Sequence, residues 1–300
     1  MSTRNLAASV RARLLAKAKA QGANFNLLLT RYAVERLLYR LSISEYGKSF
    51  VLKGALLFDV WFAEPHRPTH DADLLGLGNT ETQHLKNLFS KVSQIECADG
   101  IVFNRETIRA ARIRKNVGYA GVRVTLMGVL DGARCNVQID VGFGDAVFPE
   151  PESISYPPIL DDMPAPQLHA YTRYTVVAEK FSAMVQLGNL NSRLKDYYDI
   201  RALSMQADFD GALLAQAIQA AFSRLGIAIP AGVPDGLREE FYQTPHKMQQ
   251  WAGFLKKNAL APLSLQEVVV QVREFLLPVL AAIERRQEFH QKWQAGGAWQ

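Results

Sequence analysis

The chain has 300 residues, 48% of them hydrophobic and 21% charged, and a net charge of +5. That is the make-up of a globular protein of one large or two modest domains, with a mild leaning toward polyanionic partners. Two cysteines, Cys97 and Cys135, exclude a disulfide framework and a zinc-ligand spacing; no apolar run reaches the roughly 18 residues of a membrane span, and the first twenty residues lack a signal core, so a cytoplasmic protein with no membrane partner is expected.

Leu6 to Ala20 reads as a basic helix. Asn24 or Asn26 is placed to cap a second one, in which Leu29, Ala33, Leu37 and Leu41 step at i+4 and Tyr32 and Leu38 widen the stripe. Arg31, Arg36 and Arg40 fall off that stripe, which makes them either a solvated face or a surface that tracks RNA phosphates. Residues 1–53 carry ten Lys or Arg against Glu35 and Glu45, so +8 sits here and about −3 on the rest.

The stretch from Phe50 to Gly78 follows, FVLKGALLFDVWFAEPHRPTHDADLLGLG. Phe50 to Leu52 is a short buried strand, Gly54 opens a helix with Leu56, Leu57, Val60 and Trp61 at helical spacing, and Pro65 and Pro68 end it. Asp71 to Leu75 is a second strand. Alternation puts Asp71 and Asp73 on one face, about 7 Å apart, where they repel unless a cation lies between them. Mg²⁺ suits such a pair, because it takes one or two carboxylates plus substrate phosphates. A helix start at Gly54 favours phosphate. Asp-x-Asp alone is weak, since about one arises by chance in a chain this long; the order strand, glycine turn, helix, basic turn, paired carboxylates is more specific.

Glu81 to Ile95 reads as a helix with Thr80 as cap, followed by strands over 101–103, 107–113, 121–129 and 134–143, with turns at Gly118 and at Asp131-Gly132. Arg105, Arg109, Arg112, Arg114, Lys115 and Arg123 crowd this block; they bind nucleic acid or guard edge strands. In the last strand Asp140 shares a face with Gln138. Residues 149–166 hold six of the thirteen prolines, which marks an extended linker over 149–167 between a domain of residues 1–148 and one of residues 168–300.

The remainder reads as helix. Thr172 or Thr175 caps a helix with Val177, Phe181, Met184 and Val185 on its apolar stripe; Lys180 lies beside that stripe, either snorkelling to water or reaching a triphosphate. In the next helix Lys195, Asp196 and Asp199 interact at i+3 and i+4 spacing. Further helices are expected over 211–225, 237–242, 246–256 and 264–293, the last kinked at Pro278, with Trp299 frayed at the chain end.

Lys53-Gly-Ala-Leu-Leu, then Arg67-Pro-Thr-His-Asp-Ala-Asp-Leu, resembles the first motif of the AbiEii/AbiGii nucleotidyltransferase toxins, within the DNA polymerase beta-type nucleotidyltransferase superfamily. Gln138-Ile-Asp-Val-Gly-Phe-Gly-Asp resembles that superfamily's third-carboxylate strand, and Glu179-Lys180 with Lys195-Asp196 through Asp199 resembles the family's later motifs. Ala55 departs from the signature, which has a glycine or a serine there. The resemblance implies an α/β fold, a nucleotidyltransferase-type mixed sheet with flanking helices followed by an all-helical C-terminal domain. It implies a toxin, paired with a cognate antitoxin, that moves a nucleoside monophosphate from an NTP to RNA, in related toxins often the tRNA 3′ end. Asp71, Asp73 and Asp140 would hold Mg²⁺ or Mn²⁺ and serve catalysis with Lys180. Lys53, Gly54, Ala55, Arg67, Lys180, Lys195, Asp196 and Asp199 would hold the nucleotide. The competing readings are an inactive RNA- or protein-binding module of the same fold, and a metal-dependent phosphodiesterase or nuclease.

Overall fold

The computed structural model describes residues 3–64, 66–115 and 119–300. They form two compact units, Met1–Gly144 with Glu152–Ala170, and Asp145–Pro151 with Tyr171–Gln300.

The first unit opens with α1 (Thr3–Ala20) and α2 (Phe25–Ser42). The Asn24 side chain caps α2 by accepting from Leu27 N–H at 3.1 Å. The i+4 stripe is the packed face: Leu29, Ala33, Leu37 and Leu41 are all buried, and each leucine contributes about 1.5–3 kcal/mol by leaving water. The seven-stranded sheet runs β3 (Ile101–Lys115), β4 (Tyr119–Leu130), β5 (Ala133–Phe143), β2 (Asp71–Gly76), β1 (Phe50–Lys53), β7 (Gln167–Ala170), β6 (Glu152–Ser155). β2 pairs parallel with β5 and β1 parallel with β7; the other neighbours are antiparallel. After β1, Gly54–Leu57 forms a 3₁₀ turn that runs into α3 (Phe58–Trp61). α3 ends at Trp61, ahead of both prolines expected to stop it; Pro65 lies outside the described residues. α4 (Thr82–Ser93) has Glu81 rather than Thr80 at its cap position.

Strands expected over 101–103 and 107–113 are one strand, β3, with a register shift between Asn104 and Arg109. The Asp131-Gly132 turn joins β4 to β5 as expected: both residues have positive φ, +46° and +76°, as a two-residue hairpin demands. The expected turn at Gly118 lies outside the described residues. β3 is an edge strand, and its arginines fit the role of an edge guard. Arg112 pairs with Glu81 at 3.5 Å, and Arg109 donates to the Glu106 and Ile108 carbonyls. The side chains of Arg114 and Lys115 lie outside the described residues.

Two expectations about this unit are corrected. Arg36 and Arg40 form neither a solvated face nor a phosphate surface, because both are buried, 0% and 3% exposed. Arg36 pairs with Glu35, donates to the Pro164 carbonyl at 2.9 Å and lies over the Tyr39 ring. Arg40 forks onto Asp99 at 2.5 and 3.1 Å, and Arg31 pairs with Asp59. The proline-rich segment is likewise no free linker. It carries β6 and the approach to β7, and it is tied down where Ile159 N–H donates to Glu35 at 2.6 Å and Lys17 donates to the Ile159 carbonyl at 2.6 Å.

The second unit holds α5 (Arg173–Leu187), α6 (Leu194–Gln206), α7 (Gly211–Leu225), α8 (Glu239–Tyr242), α9 (Pro245–Lys257) and α10 (Leu265–Glu284). It is not wholly helical: β8 (Phe209–Asp210) pairs with β9 (Lys292–Trp293), so α10 stops nine residues before the expected end at Trp293. Trp299 is not frayed. Its ring stacks on Phe275 at 5.7 Å and its indole N–H donates to the Phe275 carbonyl at 2.9 Å, which holds the chain end against the middle of α10.

Removing Arg40 would strand Asp99 in the interior. Arg40→Ala should cost about 3–5 kcal/mol in urea unfolding. A loss within about 0.5 kcal/mol, the range of surface substitutions, would contradict the buried pairing.

Candidate active site

The candidate site of the first unit is built by strand register. Lys53 of β1 faces Asp73 of β2, Asp73 faces Asp140 of β5, and Asp140 faces Arg123 of β4. Neighbouring strands lie about 4.8 Å apart and register partners share a face. The result is one row across four strands, in the order cation, carboxylate, carboxylate, cation. Two residues along, a second row on the same face runs Thr125, Gln138, Asp71. The residues between, Ala72, Ile139 and Val124, are fully buried on the other face, which locks the register and so the row.

Each carboxylate is held differently. Asp71 accepts from the Thr69 hydroxyl at 3.0 Å and from the Gln138 amide at 3.2 Å, both neutral donors. Asp140, 4% exposed, accepts a fork from Arg123, Nε at 2.8 Å and Nη2 at 2.9 Å. That hydrogen-bonded pair, opposed by burial and helped by further attraction from Asp140, Asp71 and Asp73, raises the Arg123 guanidinium above its usual value. Asp73 points at the turn after β1. A Cβ on Gly54 would lie 2.4 Å from Asp73 Oδ2, and Gly54 has φ +77°, so only glycine fits beside that carboxylate. The glycine expected to serve a phosphate therefore also makes room for Asp73.

Ala55 lies in the 3₁₀ turn, and Arg67 lies half-buried in the loop leading into β2. Asp71 opens into a cavity of about 500 Å³ whose polar walls also include Asn26, Thr30, His70, Arg134, Asn136 and Gln138. Such a lining suits a polar group that makes several hydrogen bonds.

The donors suit a hard cation, being carboxylate oxygens on adjacent strands. The expected convergence of three of them is only partial: among the described residues no three Asp, Glu, His or Cys side chains gather as a metal cluster. The reason is local. Asp140 is turned onto Arg123 and Asp71 onto Thr69 and Gln138, whereas Asp73 and Asp140 remain register partners. Sequence spacing names Arg123 only as a nucleic-acid or edge-guard residue and Gln138 only as a face-mate of Asp140, whereas they bind Asp140 and Asp71 respectively. A signal for Arg123 was present: a two-residue hairpin at Asp131-Gly132 pairs Leu130 with Ala133, and counting back along both strands pairs Arg123 with Asp140.

A second charged cluster lies inside the second unit. The Lys180 ammonium donates to Asp196 at 2.7 Å and to Asp199 at 2.8 Å, and Arg193 pairs with Asp196 at 2.7 Å. Asp196 and Asp199 are wholly buried, and Lys180 is 8% exposed, so these residues are not a helix-surface pair and Lys180 does not snorkel. Lys195 lies exposed on α6. Burial pushes the Asp196 carboxyl up, but Lys180 and Arg193 outweigh it and hold the group below its ordinary 3.8. A depressed carboxyl adds stability above its unfolded value and loses it as the pH falls through its folded value, so this contribution fades below 3.8. Lys180→Met should cost about 3–5 kcal/mol near neutral pH by stranding buried carboxylates. With Lys180 gone, burial weighs more heavily against the charged Asp196 carboxyl, which keeps only Arg193, so the loss should shrink toward about pH 4 in urea unfolding. A pH-independent loss would refute the pairing as the cause.

The AbiEii family, described as nucleotidyl transferase toxins of type IV toxin–antitoxin systems, matches residues 36–273. No curated protein matches. Among solved structures, a protein from H. pylori described as a candidate nucleotidyltransferase superposes with a TM-score of 0.51 at 14% identity, over 87% of this chain and 98% of its own. JHP933 from Helicobacter pylori gives 0.51 and 14%, over 87% of this chain and 94% of its own. These likenesses establish the shared fold, and the family match spans most of both units, including every residue of the charged row and of the Lys180 cluster. The chain belongs to the AbiEii family of nucleotidyltransferase toxins.

Proposed function

We propose that this toxin transfers a nucleoside monophosphate from an NTP to an RNA acceptor, with Mg²⁺ or Mn²⁺ held at Asp71, Asp73 and Asp140. The observation that carries the reading is the row Lys53–Asp73–Asp140–Arg123, which sets two carboxylates side by side between two cations on one sheet face. A divalent cation bound there would neutralise phosphate charge and make the attacking hydroxyl more acidic.

The chain's own residues do the rest. Asp73 and Asp140, register partners on neighbouring strands, would hold the cation with Asp71, which is hydrogen-bonded by Thr69 and Gln138. The backbone N–H groups of the Gly54–Leu57 turn lie next to Asp73 and suit phosphate oxygens, and Lys53 stands at the row's end for the same charge. The absence of a hydroxyl at Ala55 leaves those backbone donors unaffected. The cavity beside Asp71 takes the acceptor's terminal sugar and base, which offer the several hydrogen-bonding groups its walls can meet. Lys180, Lys195, Asp196 and Asp199 enter this reading on the family resemblance alone. Phosphoryl transfer of this kind needs mostly positioning and charge. A cognate antitoxin follows from the family's type IV toxin–antitoxin character.

Incubation with each labelled NTP, Mg²⁺ and total RNA tests the proposal. Label joined to RNA supports transfer, shortened RNA supports a nuclease, and unchanged RNA supports a binding module. Asp73→Asn should cut transfer by at least about a hundredfold, because hard cations select charged oxygens, while relief of carboxylate repulsion leaves the melting temperature unchanged or slightly raised. Transfer at near wild-type rate in this variant would refute the role of Asp73.

A further inference from the structure

Arg123 ends the charged row without being one of the residues proposed to hold the cation, and it grips Asp140 directly. Its Nε and Nη2 take both oxygens of Asp140, at 2.8 and 2.9 Å. The two ends of that fork differ in exposure. The Asp140 side chain is 6% exposed and the Arg123 side chain 42%. Asp140 therefore needs a cationic partner at all times, since a buried carboxylate without one is strongly unfavourable. Arg123 is free to swing out without being buried or stranded elsewhere, since it sits near the solvent side of the strand. Its charge also acts on Asp71 and Asp73, so one guanidinium counters the whole carboxylate group.

We propose that Arg123 is a built-in counterion that occupies Asp140 until a divalent cation and a polyphosphate arrive, and then exchanges Asp140 for the polyphosphate. The inference rests on the nucleotidyltransferase reading of the site. It follows from a competition: the same two oxygens cannot be fully engaged by the fork and also be free to ligate. The cation's arrival removes the reason for Arg123 to stay, and the negative charge that comes with a triphosphate gives the fork a new bidentate partner on the same exposed face. Arg123 is in this sense a positioning residue, one that makes metal loading and phosphate loading depend on each other. The pairing across β4 and β5 supports the exchange, because the Arg123 Cα is fixed opposite Asp140 by the hairpin register and only the side chain needs to move.

The test uses the full-length protein, stripped of metal, as wild type, Arg123→Gln and Arg123→Lys. Mn²⁺ binding is read by the loss of free Mn²⁺ signal in electron paramagnetic resonance. If the fork is closed about nine-tenths of the time, its removal should tighten Mn²⁺ binding about tenfold in Arg123→Gln, with Arg123→Lys, which keeps the charge but cannot fork, falling between. Without metal Arg123→Gln should melt below wild type, and saturating Mn²⁺ should raise its melting temperature by more. With saturating Mg²⁺, inorganic tripolyphosphate should raise the melting temperature of wild type more than that of Arg123→Gln. Tighter cation binding together with weaker polyphosphate binding is a pair of opposite changes that mere structural support of Asp140 does not produce. Unchanged or weaker Mn²⁺ binding in Arg123→Gln overturns the proposal, as does an unchanged response to tripolyphosphate. If Arg123→Gln fails to fold, Arg123→Lys decides, and no tightening in it overturns the proposal equally. If neither wild type nor variant binds Mn²⁺, the metal reading of the site falls and takes this inference with it; Mn²⁺ binding by wild type without tightening in the variants leaves that reading standing and removes only the role of Arg123.

Discussion

Two carboxylates side by side on neighbouring strands repel each other, and the site face is organised around meeting that cost. Asp73 and Asp140 are register partners in the parallel β2–β5 pair, with Lys53 and Arg123 as the next partners out on either side. The sheet cannot slip to relieve the repulsion. A one-residue shift would carry Ala72, Ile139 and Val124 from the core to the site face. Burial on one face thus enforces charge proximity on the other. Gly54 completes the arrangement, because its missing Cβ leaves the space that the Asp73 carboxylate fills.

The same logic of enforced pairing runs through the interior. Arg40 with Asp99 joins α2 to the start of β3, Glu35 with the Ile159 N–H joins α2 to the proline-rich segment, and Lys180 with Asp196 and Asp199 joins α5 to α6. Buried pairs add little net stability over apolar packing, yet breaking one is costly. Their effect is to specify which segments meet. This gives a physical reason for the positive charge of the first 53 residues that does not call on a polyanion: Arg31, Arg36 and Arg40 are spent on internal partners.

Elements with strong local signals were legible in the sequence. The α2 stripe, the Asp131-Gly132 hairpin and the bounds of α7 appear as read, and Thr172, one of the two candidate caps, caps α5, since each depends on neighbours within a few residues. So did the pairing of Asp71 and Asp73 on one face, which needs only strand alternation. What failed depended on distant partners. Arg36 and Arg40 look like surface charges until Asp99 and the Pro164 carbonyl are brought to them. The six prolines look like a linker until α1 and α2 anchor the segment. Trp299 looks frayed until Phe275 stacks on it, and β8 with β9 is too short to leave a periodic trace. Arg123 stands between these cases, since the hairpin count reaches it but nothing local marks it as special.

The central claim is that the charged row is where a cation and a polyphosphate meet. Crystals of the wild-type protein grown with Mn²⁺ and a non-hydrolysable NTP analogue test it most directly, by anomalous scattering at the manganese edge. The account predicts a peak within about 2.0–2.4 Å of carboxylate oxygens of Asp73 and Asp140, bridged to the analogue's phosphates, as expected for hard divalent ions on oxygen ligands. Analogue bound with its phosphates away from this row, and no manganese on Asp73 or Asp140, would contradict it.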